Sequence, residues 1–245
     1  MDWDASTYDR IADPMFRWGS EVLGRLSLEG RETVLDAGCG SGRVTELLAQ
    51  RVPDGRVIAL DASPAMIDES RTRLARFRER ISYVVANLGR PLPLDQPVDA
   101  VLSTATFHWV TDHDALFANL SSVMRPNARL QAQCGGVGNI ERVKAAAMAA
   151  GAVWPEDHYF ATPSETQRRL ARNGFVDVRC WLQEAPTRLE PGEQLDTYMR
   201  TIILRTIVDR MSEPERDPFL RAVGRELSEP VIDYVRLNIS ARRAS

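Results

Sequence analysis

One stretch of the sequence decides its fold: Val34-Leu35-Asp36-Ala37-Gly38-Cys39-Gly40-Ser41-Gly42. An apolar run ends in a carboxylate and opens into a loop with glycine at every second position. Because glycine lacks a Cβ, it adopts positive φ and lets a ligand lie against the backbone. A helix predicted from Arg43 to Arg51 would direct its free N–H groups and positive dipole end into the same loop. The stretch therefore predicts a strand, a ligand-binding loop and a helix at the edge of a parallel sheet.

A second acidic residue, Asp61, ends the next predicted strand, residues 56–61. It stands about 20 residues beyond the glycine loop, the offset from which an acid reaches a ribose diol in doubly wound folds. We therefore expect a nucleoside cofactor with a free 2′-hydroxyl group. The dinucleotide fingerprint Gly-x-Gly-x-x-Gly would need its third glycine at Arg43, which weakens the interpretation as a nicotinamide-dependent oxidoreductase.

The glycine loop is the first of four ordered motifs that together resemble the class I S-adenosylmethionine-dependent methyltransferases. The other three motifs are residues 59–66, 84–88 and 98–104, so the resemblance covers about the first two thirds of the chain. It implies an α/β fold with a Rossmann-like doubly wound sheet, mostly parallel with an antiparallel last strand. It also implies S-adenosyl-L-methionine as the cofactor.

The resemblance assigns cofactor-binding roles to individual positions. Asp36 would orient the loop and the aminoacyl end, while Asp61 would accept from the ribose hydroxyls. Asn87, where the family often has Asp, would meet the adenine amine. Backbone groups and apolar contacts complete the implied set, at Gly38, Cys39, Gly40, Ala62, Met66, Leu88, Ser103 and Thr104. The alternatives are that Met66 fills the core and that the Cys39 thiol is a small packing group.

The acceptor chemistry is predicted from Phe107-His108-Trp109-Val110, which follows the fourth strand. This motif is similar to the small-molecule carboxyl methyltransferases of the trans-aconitate methyltransferase group. A carboxylate, with a pKa of about 4, is already ionised, whereas a phenol with a pKa of about 10 needs a base. His108 is therefore a candidate base or a group that holds a carboxylate; the alternative is a structural histidine packed on Trp109. The predicted acceptor-site residues are Tyr8, Trp18, Trp109, His158 and Tyr159.

Four segments are expected along the chain. Residues 1–30 would form an N-terminal helical cap, 31–182 the cofactor-binding core, 183–230 a helical lid insert and 231–245 a final core strand with a tail. The lid is predicted because a simple hairpin between the last two strands would need only a few residues. Its apolar stripe would pack on the sheet, pair in a homodimer or line an apolar pocket; it comprises Leu195, Met199, Ile202, Ile203, Ile207 and Met211.

Local patterns set the boundaries of several elements. A leader helix is expected over 7–26, bent at Pro14. A helix capped by Ser63 should run to Arg78, and a capping box at Ser164-x-x-Gln167 should begin another. Helices over 193–211 and 213–227 and a last strand over 231–240 complete the prediction.

Composition and charge limit the classes of partner that we expect. Net charge is −3, with 31 basic and 34 acidic residues interspersed, so a nucleic-acid partner is not expected. No apolar run approaches the roughly 18 residues of a spanning helix, and no secretory signal begins the chain, so a cytoplasmic location without membrane insertion is expected. Three scattered cysteines and three histidines predict no metal site. His113 should be exposed.

The sequence thus predicts an enzyme that transfers a methyl group from S-adenosyl-L-methionine to a small organic acceptor, with O-methylation of a carboxylate or hydroxyl as the first hypothesis. The alternatives are a carbon or nitrogen methyltransferase of secondary metabolism, a nicotinamide-dependent oxidoreductase, and a cofactor-binding protein without catalysis.

Overall fold

The computed structural model describes residues 13–245, with side chains from residue 14 onward. Its strands are β1 (Thr33–Ala37), β2 (Arg56–Asp61), β3 (Ile81–Val85), β4 (Val98–Thr104), β5 (Met124–Gly135), β6 (Phe175–Glu184), β7 (Thr187–Arg188), β8 (Val231–Ile232) and β9 (Val235–Arg243). Seven of them form one sheet in the order β3-β2-β1-β4-β5-β9-β6, and β7 pairs with β8. Strands β1 to β5 run parallel, and β9 lies antiparallel between β5 and β6. The predicted fold class is confirmed.

Helices cover both faces of the sheet. They are α1 (Asp13–Arg25), α2 (Arg43–Arg51), α3 (Pro64–Arg73), α4 (His113–Val123), α5 (Glu141–Ala149), α6 (Pro163–Arg172), α7 (Glu193–Tyr198), α8 (Arg205–Val208) and α9 (Glu213–Glu226). Successive strand residues face opposite sides of a sheet. Accordingly, Val34 packs in a core with α1, α2 and α3, while Leu35 packs in a second core with α4 and α6.

Strand β9 gives the sheet one polar and one apolar stripe beside β5. Ile239 pairs with Ala132 in the apolar stripe, whereas Asn238 pairs with Gln133 in the polar one. The side chains of Gln133 and Asn238 hydrogen-bond to each other at 2.9 Å and are both buried. Burying an amide without a hydrogen-bond partner costs free energy. This contact therefore favours the observed register of the two strands.

The segment predicted as a lid builds a third core. Its helices α7, α8 and α9 pack with α5 and with Trp18 of α1. The single helix predicted over 193–211 is wrong: α7 is followed by a π-helical turn, Met199–Ile203, and then by α8. The Leu204 N–H donates to the Met199 carbonyl at 2.7 Å across this wider turn, which changes the direction of the side chains within it. The domain boundaries stay a prediction.

Three other predicted boundaries differ from the structure. Helix α3 ends at Arg73, and a 3-10 turn, Ala75–Phe77, replaces the expected continuation because the chain tightens there to enter β3. Helix α6 is capped by Thr162 rather than Ser164: Thr162 Oγ1 accepts from the Glu165 N–H, and the Glu165 carboxylate accepts from the Thr162 N–H.

The strand predicted over 231–240 is broken into β8 and β9. The reason is that the Asp233 carbonyl and carboxylate accept from the N–H groups of Ile140 and Arg142 at the start of α5. The predicted leader helix is described from Asp13, with Pro14 in its first turn, where proline is tolerated. Tyr8 lies outside the described residues.

Candidate active site

The glycine loop follows β1 and is hydrogen-bonded to the end of β2. The N–H groups of Gly38 and Cys39 donate to the Leu60 carbonyl at 2.7 and 2.9 Å. Gly38 has a φ of +87°, and a Cβ there would lie 2.1 Å from Thr106 Oγ1. Gly40 has a φ of +53°, but a Cβ there would meet no protein atom within 4 Å. Gly38 is therefore required by the protein itself, whereas Gly40 leaves open space for a ligand.

Asp61 at the end of β2 is tied to this loop. Its Oδ2 accepts from the Gly40 N–H at 3.0 Å, and its Oδ1 accepts from the Ser63 N–H at 2.9 Å. Burial raises the pKa of the carboxyl, and the two N–H groups lower it in part. Each carboxylate oxygen has a second lone pair, so Asp61 retains acceptor capacity for a diol.

Asp36 is a buried residue one position before the end of β1. Its Oδ2 accepts from the Thr45 hydroxyl at 2.7 Å, and its Oδ1 has no hydrogen-bond partner in the described part of the chain. Burial raises the pKa of Asp36 to about 7, and the charge of Asp61 adds to this. It does not line the cavity described next, so its predicted role in orienting the loop would be indirect.

One cavity of about 410 Å³ collects most of the predicted site residues. Of the predicted cofactor positions, it is lined by Gly38, Cys39, Gly40, Asp61, Ala62, Met66, Asn87, Leu88 and Thr104. Of the predicted acceptor positions, it is lined by Trp18, His108, Trp109 and His158. Burial raises the pKa of the Cys39 thiol well above its ordinary value, which leaves that thiol neutral and unsuited to act as a nucleophile.

Two other predicted positions are not brought to the cavity. Ser103 is buried and its hydroxyl donates to the Ala37 carbonyl at 2.6 Å. The Tyr159 hydroxyl accepts from Arg169 Nη1 at 2.8 Å, and its ring lies edge-on to His113 at 4.8 Å. The next aromatic residue, Phe160, lines the cavity instead. The predicted contact of Tyr159 with the acceptor has no support in this geometry.

His108 projects from a 3-10 turn, Phe107–Trp109, directly after β4. Its Nδ1 accepts from the Gly135 N–H at 3.3 Å. Burial lowers the pKa of His108 well below its usual value, and the nearby Arg236 guanidinium adds to this effect. A neutral ring whose Nδ1 accepts must carry its proton on Nε2. His108 therefore offers the cavity a hydrogen-bond donor and has no free lone pair with which to act as a base.

His158 forms an aromatic wall with its neighbours. Its ring lies 4.2 Å from the Trp109 ring and is stacked 6.0 Å from His108. Its Nδ1 is 2.6 Å from an Asp157 carboxylate oxygen, although neither atom has hydrogen-bond alignment. Burial lowers the pKa of His158, and Asp157 offsets part of this effect.

The expected exposure of His113 is wrong. The residue is only 1% exposed, and its Nε2 lies 2.9 Å from the Phe107 carbonyl oxygen. Asp112 caps α4 by accepting from the Ala115 N–H, which places His113 at the first turn with its ring turned inward, against Phe117. The acidic neighbours in sequence did not indicate this, because α4 directs successive side chains to different sides.

Several lining residues were missed by sequence reasoning. They come from segments far apart in the chain: Ala105, Asn139, Phe160, Tyr234 and Arg236. Ile202 and Ile203 also line the cavity, as one of the alternatives for the apolar stripe predicted. Ala105 has a φ of +55°, a strained conformation for a residue with a Cβ. Arg236 and Asn238 alternate with apolar residues in β9, a pattern typical of a strand with one solvated face. Only the position of β9 inside the sheet shows that this polar face is buried.

The sheet order and the glycine loop are those of a Rossmann-like methyltransferase fold. Residues 34–127 match the family model of a methyltransferase domain. The chain is 27% identical to a trans-aconitate 2-methyltransferase from Methylobacterium radiotolerans over 100% of this chain and 99% of that protein. It is 38% identical to a trans-aconitate 2-methyltransferase from Escherichia coli strain 55989, over 54% of this chain and 50% of that protein.

A solved structure shows the same fold. Phosphoethanolamine N-methyltransferase 2 from Haemonchus contortus, in complex with S-adenosylhomocysteine, aligns with a TM-score of 0.63 at 18% identity, over 98% of this chain and 56% of that chain. Residues 34–127 are a methyltransferase domain, and the chain is an S-adenosylmethionine-dependent methyltransferase, as its motifs predicted. It is an enzyme, and S-adenosyl-L-methionine is its cofactor.

The residues present fit that cofactor. The open space above Gly40 is a cradle that any Cβ would enter, and Asp61 stands beside it with acceptor capacity. Met66 is buried and lines the same cavity, which suits an apolar contact with adenine. The individual contacts stay predictions.

The described residues show neither a membrane-spanning helix nor a metal-binding cluster. Within residues 13–245, no helix is both long and apolar enough to span a bilayer. No group of three or more His, Cys, Asp or Glu in that range is arranged to hold a metal ion. The homodimer, the lack of a nucleic-acid partner and the cytoplasmic location stay predictions.

Proposed function

We propose that this enzyme methylates a carboxylate oxygen of a small organic acid. One observation carries the proposal: His108 faces the acceptor side of the cavity as a neutral hydrogen-bond donor, because its Nδ1 accepts from the Gly135 N–H. A carboxylate is ionised at neutral pH and needs a donor to position it, not a base to deprotonate it. The names of the relatives agree with an acid as acceptor.

The residues of this chain would divide the work between binding and positioning. The cofactor, when bound along the glycine loop, supplies an activated methyl group. His108 Nε2–H would hold one oxygen of the acceptor carboxylate so that the other is free to attack in line. Trp109, Phe160 and the lid residues Ile202 and Ile203 would exclude water from the reacting atoms.

A hydroxyl acceptor is the second candidate, because His158 is also in the cavity and lies next to Asp157. An Asp–His pair can act as a general base when the carboxylate accepts from Nδ1–H. The two groups here approach without hydrogen-bond alignment. This arrangement gives the hydroxyl hypothesis less support than His108 gives the carboxylate hypothesis.

A labelled-methyl assay separates the two. The enzyme is incubated with methyl-labelled S-adenosylmethionine and a panel containing tri-, di- and monocarboxylic acids, phenols, alcohols and amines. We expect label in products of the acids, released as methanol by mild alkali, because esters hydrolyse and ethers and methylamines do not. Alkali-stable product from phenols or amines, with none from the acids, would overturn the proposal.

A histidine substitution adds a second criterion. His158→Phe should leave ester formation within roughly 10-fold of the wild type, since a carboxylate needs no general base. Loss of turnover by the 100-fold or more expected for a general base would favour the hydroxyl hypothesis.

A further inference from the structure

The side-chain amide of Asn139 is held in one orientation at the wall of the cavity. Asn139 lies in the turn between β5 and α5, and it lines the cavity although it is only 3% exposed. Its Oδ1 accepts from the Val235 N–H at 3.0 Å. Because a backbone N–H can only donate, this hydrogen bond distinguishes the carbonyl end of the amide from the NH₂ end. The NH₂ group at Nδ2 is therefore the end that remains for another partner.

This NH₂ group is a donor without an acceptor in the part of the chain that the structure describes. Asn139 Nδ2 makes no hydrogen bond there, and it is not one of the polar atoms that are both fully buried and unpaired. An unpaired atom that is not fully buried is accessible, and the accessible space beside Asn139 is the cavity. The geometry thus offers the cavity a donor whose orientation is fixed.

Gly135, the last residue of β5, brings Asn139 and His108 to the same place. The Gly135 N–H donates to His108 Nδ1 at 3.3 Å. A Cβ at Gly135 would lie 2.9 Å from Asn139 Nδ2 and 2.7 Å from the Phe160 ring, so a larger residue there would displace the amide. The side chains of His108 and Asn139, each a neutral donor, thus adjoin one glycine at the cavity wall.

The backbone beside Asn139 is strained. Ile140 has a φ of +54°, a left-handed conformation that a β-branched residue rarely adopts. The Ile140 N–H donates to the Asp233 carbonyl at 3.0 Å, and the Asn139 N–H donates to the Gly136 carbonyl at 3.0 Å. Strain of this kind persists only where the surroundings impose it, and it is concentrated at sites that bind ligands. The turn therefore fixes Asn139 at a cost in backbone energy.

We propose that Asn139 is an acceptor-binding residue: its NH₂ group donates to the carboxylate oxygen that is not methylated, alongside the hydrogen bond from His108. The proposal rests on the proposed carboxylate methylation. A carboxylate oxygen has two lone pairs and can accept from both donors. The other oxygen then keeps its lone pairs for attack, and the carboxylate is held in one orientation. Because the carboxylate arrives ionised, neither donor gives up its proton.

A neutral donor suits the reacting carboxylate. Methylation removes the negative charge of this group, so a full cation paired with it would stabilise the substrate more than the transition state. The oxygen that is not methylated becomes the ester carbonyl, which still accepts hydrogen bonds. The Asn139 amide therefore keeps its partner throughout the reaction.

Two substitutions at Asn139 separate acceptor binding from a structural role. Asn139→Asp keeps an oxygen for the Val235 N–H but replaces the NH₂ group by a carboxylate oxygen, whereas Asn139→Ala removes both groups. We expect kcat/KM for an acid acceptor to fall roughly 10- to 100-fold in Asn139→Ala, the value of a hydrogen bond to a charged group. It should fall further in Asn139→Asp, because two like charges then meet. If Asn139 served only to hold Val235, Asn139→Asp would be the more active variant, and that order would overturn the proposal.

Affinity for S-adenosylhomocysteine, measured by calorimetry, should be unchanged in both variants. A loss of this affinity equal to the loss in kcat/KM would place Asn139 at the cofactor and overturn the proposal. The matched control is Asn173→Asp, which makes the same chemical change outside the cavity, where Asn173 Nδ2 donates to the Arg169 carbonyl at 2.8 Å. The control should leave kcat/KM unchanged.

A measurement on the wild type does not depend on whether either variant folds. In a crystal structure of the enzyme with S-adenosylhomocysteine and an accepted acid, we expect Asn139 Nδ2 within about 3.2 Å of one carboxylate oxygen. A carboxylate bound beside His108 without this contact would overturn the proposal.

The two levels of proposal fail differently. If the wild type forms no alkali-labile ester with any acid, carboxylate methylation falls and the Asn139 proposal falls with it. If esters form but Asn139→Asp is at least as active as Asn139→Ala, only the Asn139 proposal falls.

Discussion

The hydrogen bond from the Gly135 N–H determines which ring nitrogen of His108 carries the proton. The Gly135 N–H occupies Nδ1, and the lowered pKa of the ring, caused first by burial and then by Arg236, keeps it neutral. From the sequence, the same histidine was a candidate base or a positioning group. The structure favours positioning, because the nitrogen left for the acceptor carries hydrogen.

Substitution of His108 should therefore cost one hydrogen bond. We expect His108→Phe to lower kcat/KM for an acid acceptor by roughly 10- to 100-fold, the value of a hydrogen bond to a charged group, and His108→Gln to retain more activity because its amide can donate. Steady-state kinetics at saturating cofactor would measure this. A loss near 10,000-fold in both variants would contradict positioning and indicate a base.

The raised pKa of Asp36 predicts a stability that depends on pH. An Asp whose pKa rises on folding, here from 3.8 to about 7, binds protons more tightly in the folded state. The free energy of unfolding should then fall as pH rises through this window. Between pH 5 and pH 8, we expect a loss of about 2–3 kcal/mol from this group in the cofactor-free enzyme.

Urea unfolding of the wild type and of Asp36→Asn at pH 5 and pH 8 would measure this loss. The variant lacks the titrating group, so the difference in stability between the two proteins should shift in its favour at the higher pH. A difference that does not change with pH would show that the carboxyl ionises normally.

At the scale of elements, two glycines of the same loop are needed for different reasons. Gly38 answers a packing demand, since a Cβ there would collide with Thr106, and Gly40 answers a binding demand. The sequence predicted both glycines as ligand-binding. It did not show that the residue opposite Gly38 is Thr106, because that contact spans β1 and β4.

Alanine at the two positions should separate these demands. We expect Gly38→Ala to lower the free energy of unfolding by roughly 2–4 kcal/mol through steric overlap and positive φ. Gly40→Ala should cost about 1–2 kcal/mol but weaken S-adenosylhomocysteine binding more than 10-fold. Urea unfolding and calorimetry measure the two effects.

Gly24 of α1 provides the matched control, since a Cβ there would meet no atom within 4 Å and its φ is not positive. Gly24→Ala should stabilise the protein slightly, by up to about 1 kcal/mol, with unchanged affinity. Normal cofactor binding by Gly40→Ala would show that the cofactor does not occupy the open space beside Gly40.

The lid shows a different limit at this scale. Its apolar stripe was recognisable, and Leu195, Met199, Ile203 and Ile207 are buried in the third core. The π-helical turn was not predicted, because a π turn has no distinctive sequence pattern. The turn nevertheless contains Ile202 and Ile203, the two residues of the stripe that line the cavity.

At the scale of the whole molecule, the segment predicted as a lid shares a core with elements outside it. Trp18 of α1 and Ile140 before α5 pack in the same core as the lid helices, and the Tyr198 and Tyr234 hydroxyls hydrogen-bond at 2.8 Å. The cavity is walled by α1, the glycine loop, the segment after β4, the lid and β9. No one of these segments forms the cavity alone.

We therefore expect sheet and lid to unfold together. Urea transitions followed by tryptophan fluorescence and by far-UV circular dichroism should coincide. S-adenosylhomocysteine at 100 times its Kd should add about 2.7 kcal/mol to the unfolding free energy and shift both transitions equally. Two separate midpoints would instead show that residues 183–230 form an independent domain.

The sequence by itself determined the cofactor half of this enzyme. Strand, glycine loop, helix and the acid at Asp61 are specified by residues close together in the chain, and local chemistry is sufficient to predict them. On the side of the cavity proposed for the acceptor, the sequence predicted Trp18, His108, Trp109 and His158, and only the tertiary structure showed which residues complete the wall. Arg236, Tyr234 and Ile202 reach the cavity because β9 inserts between β5 and β6 and the lid folds back over α1. In β9, alternating polar and apolar residues describe a solvated strand as well as a buried one, and only the neighbouring strands and α1 determine which side excludes water.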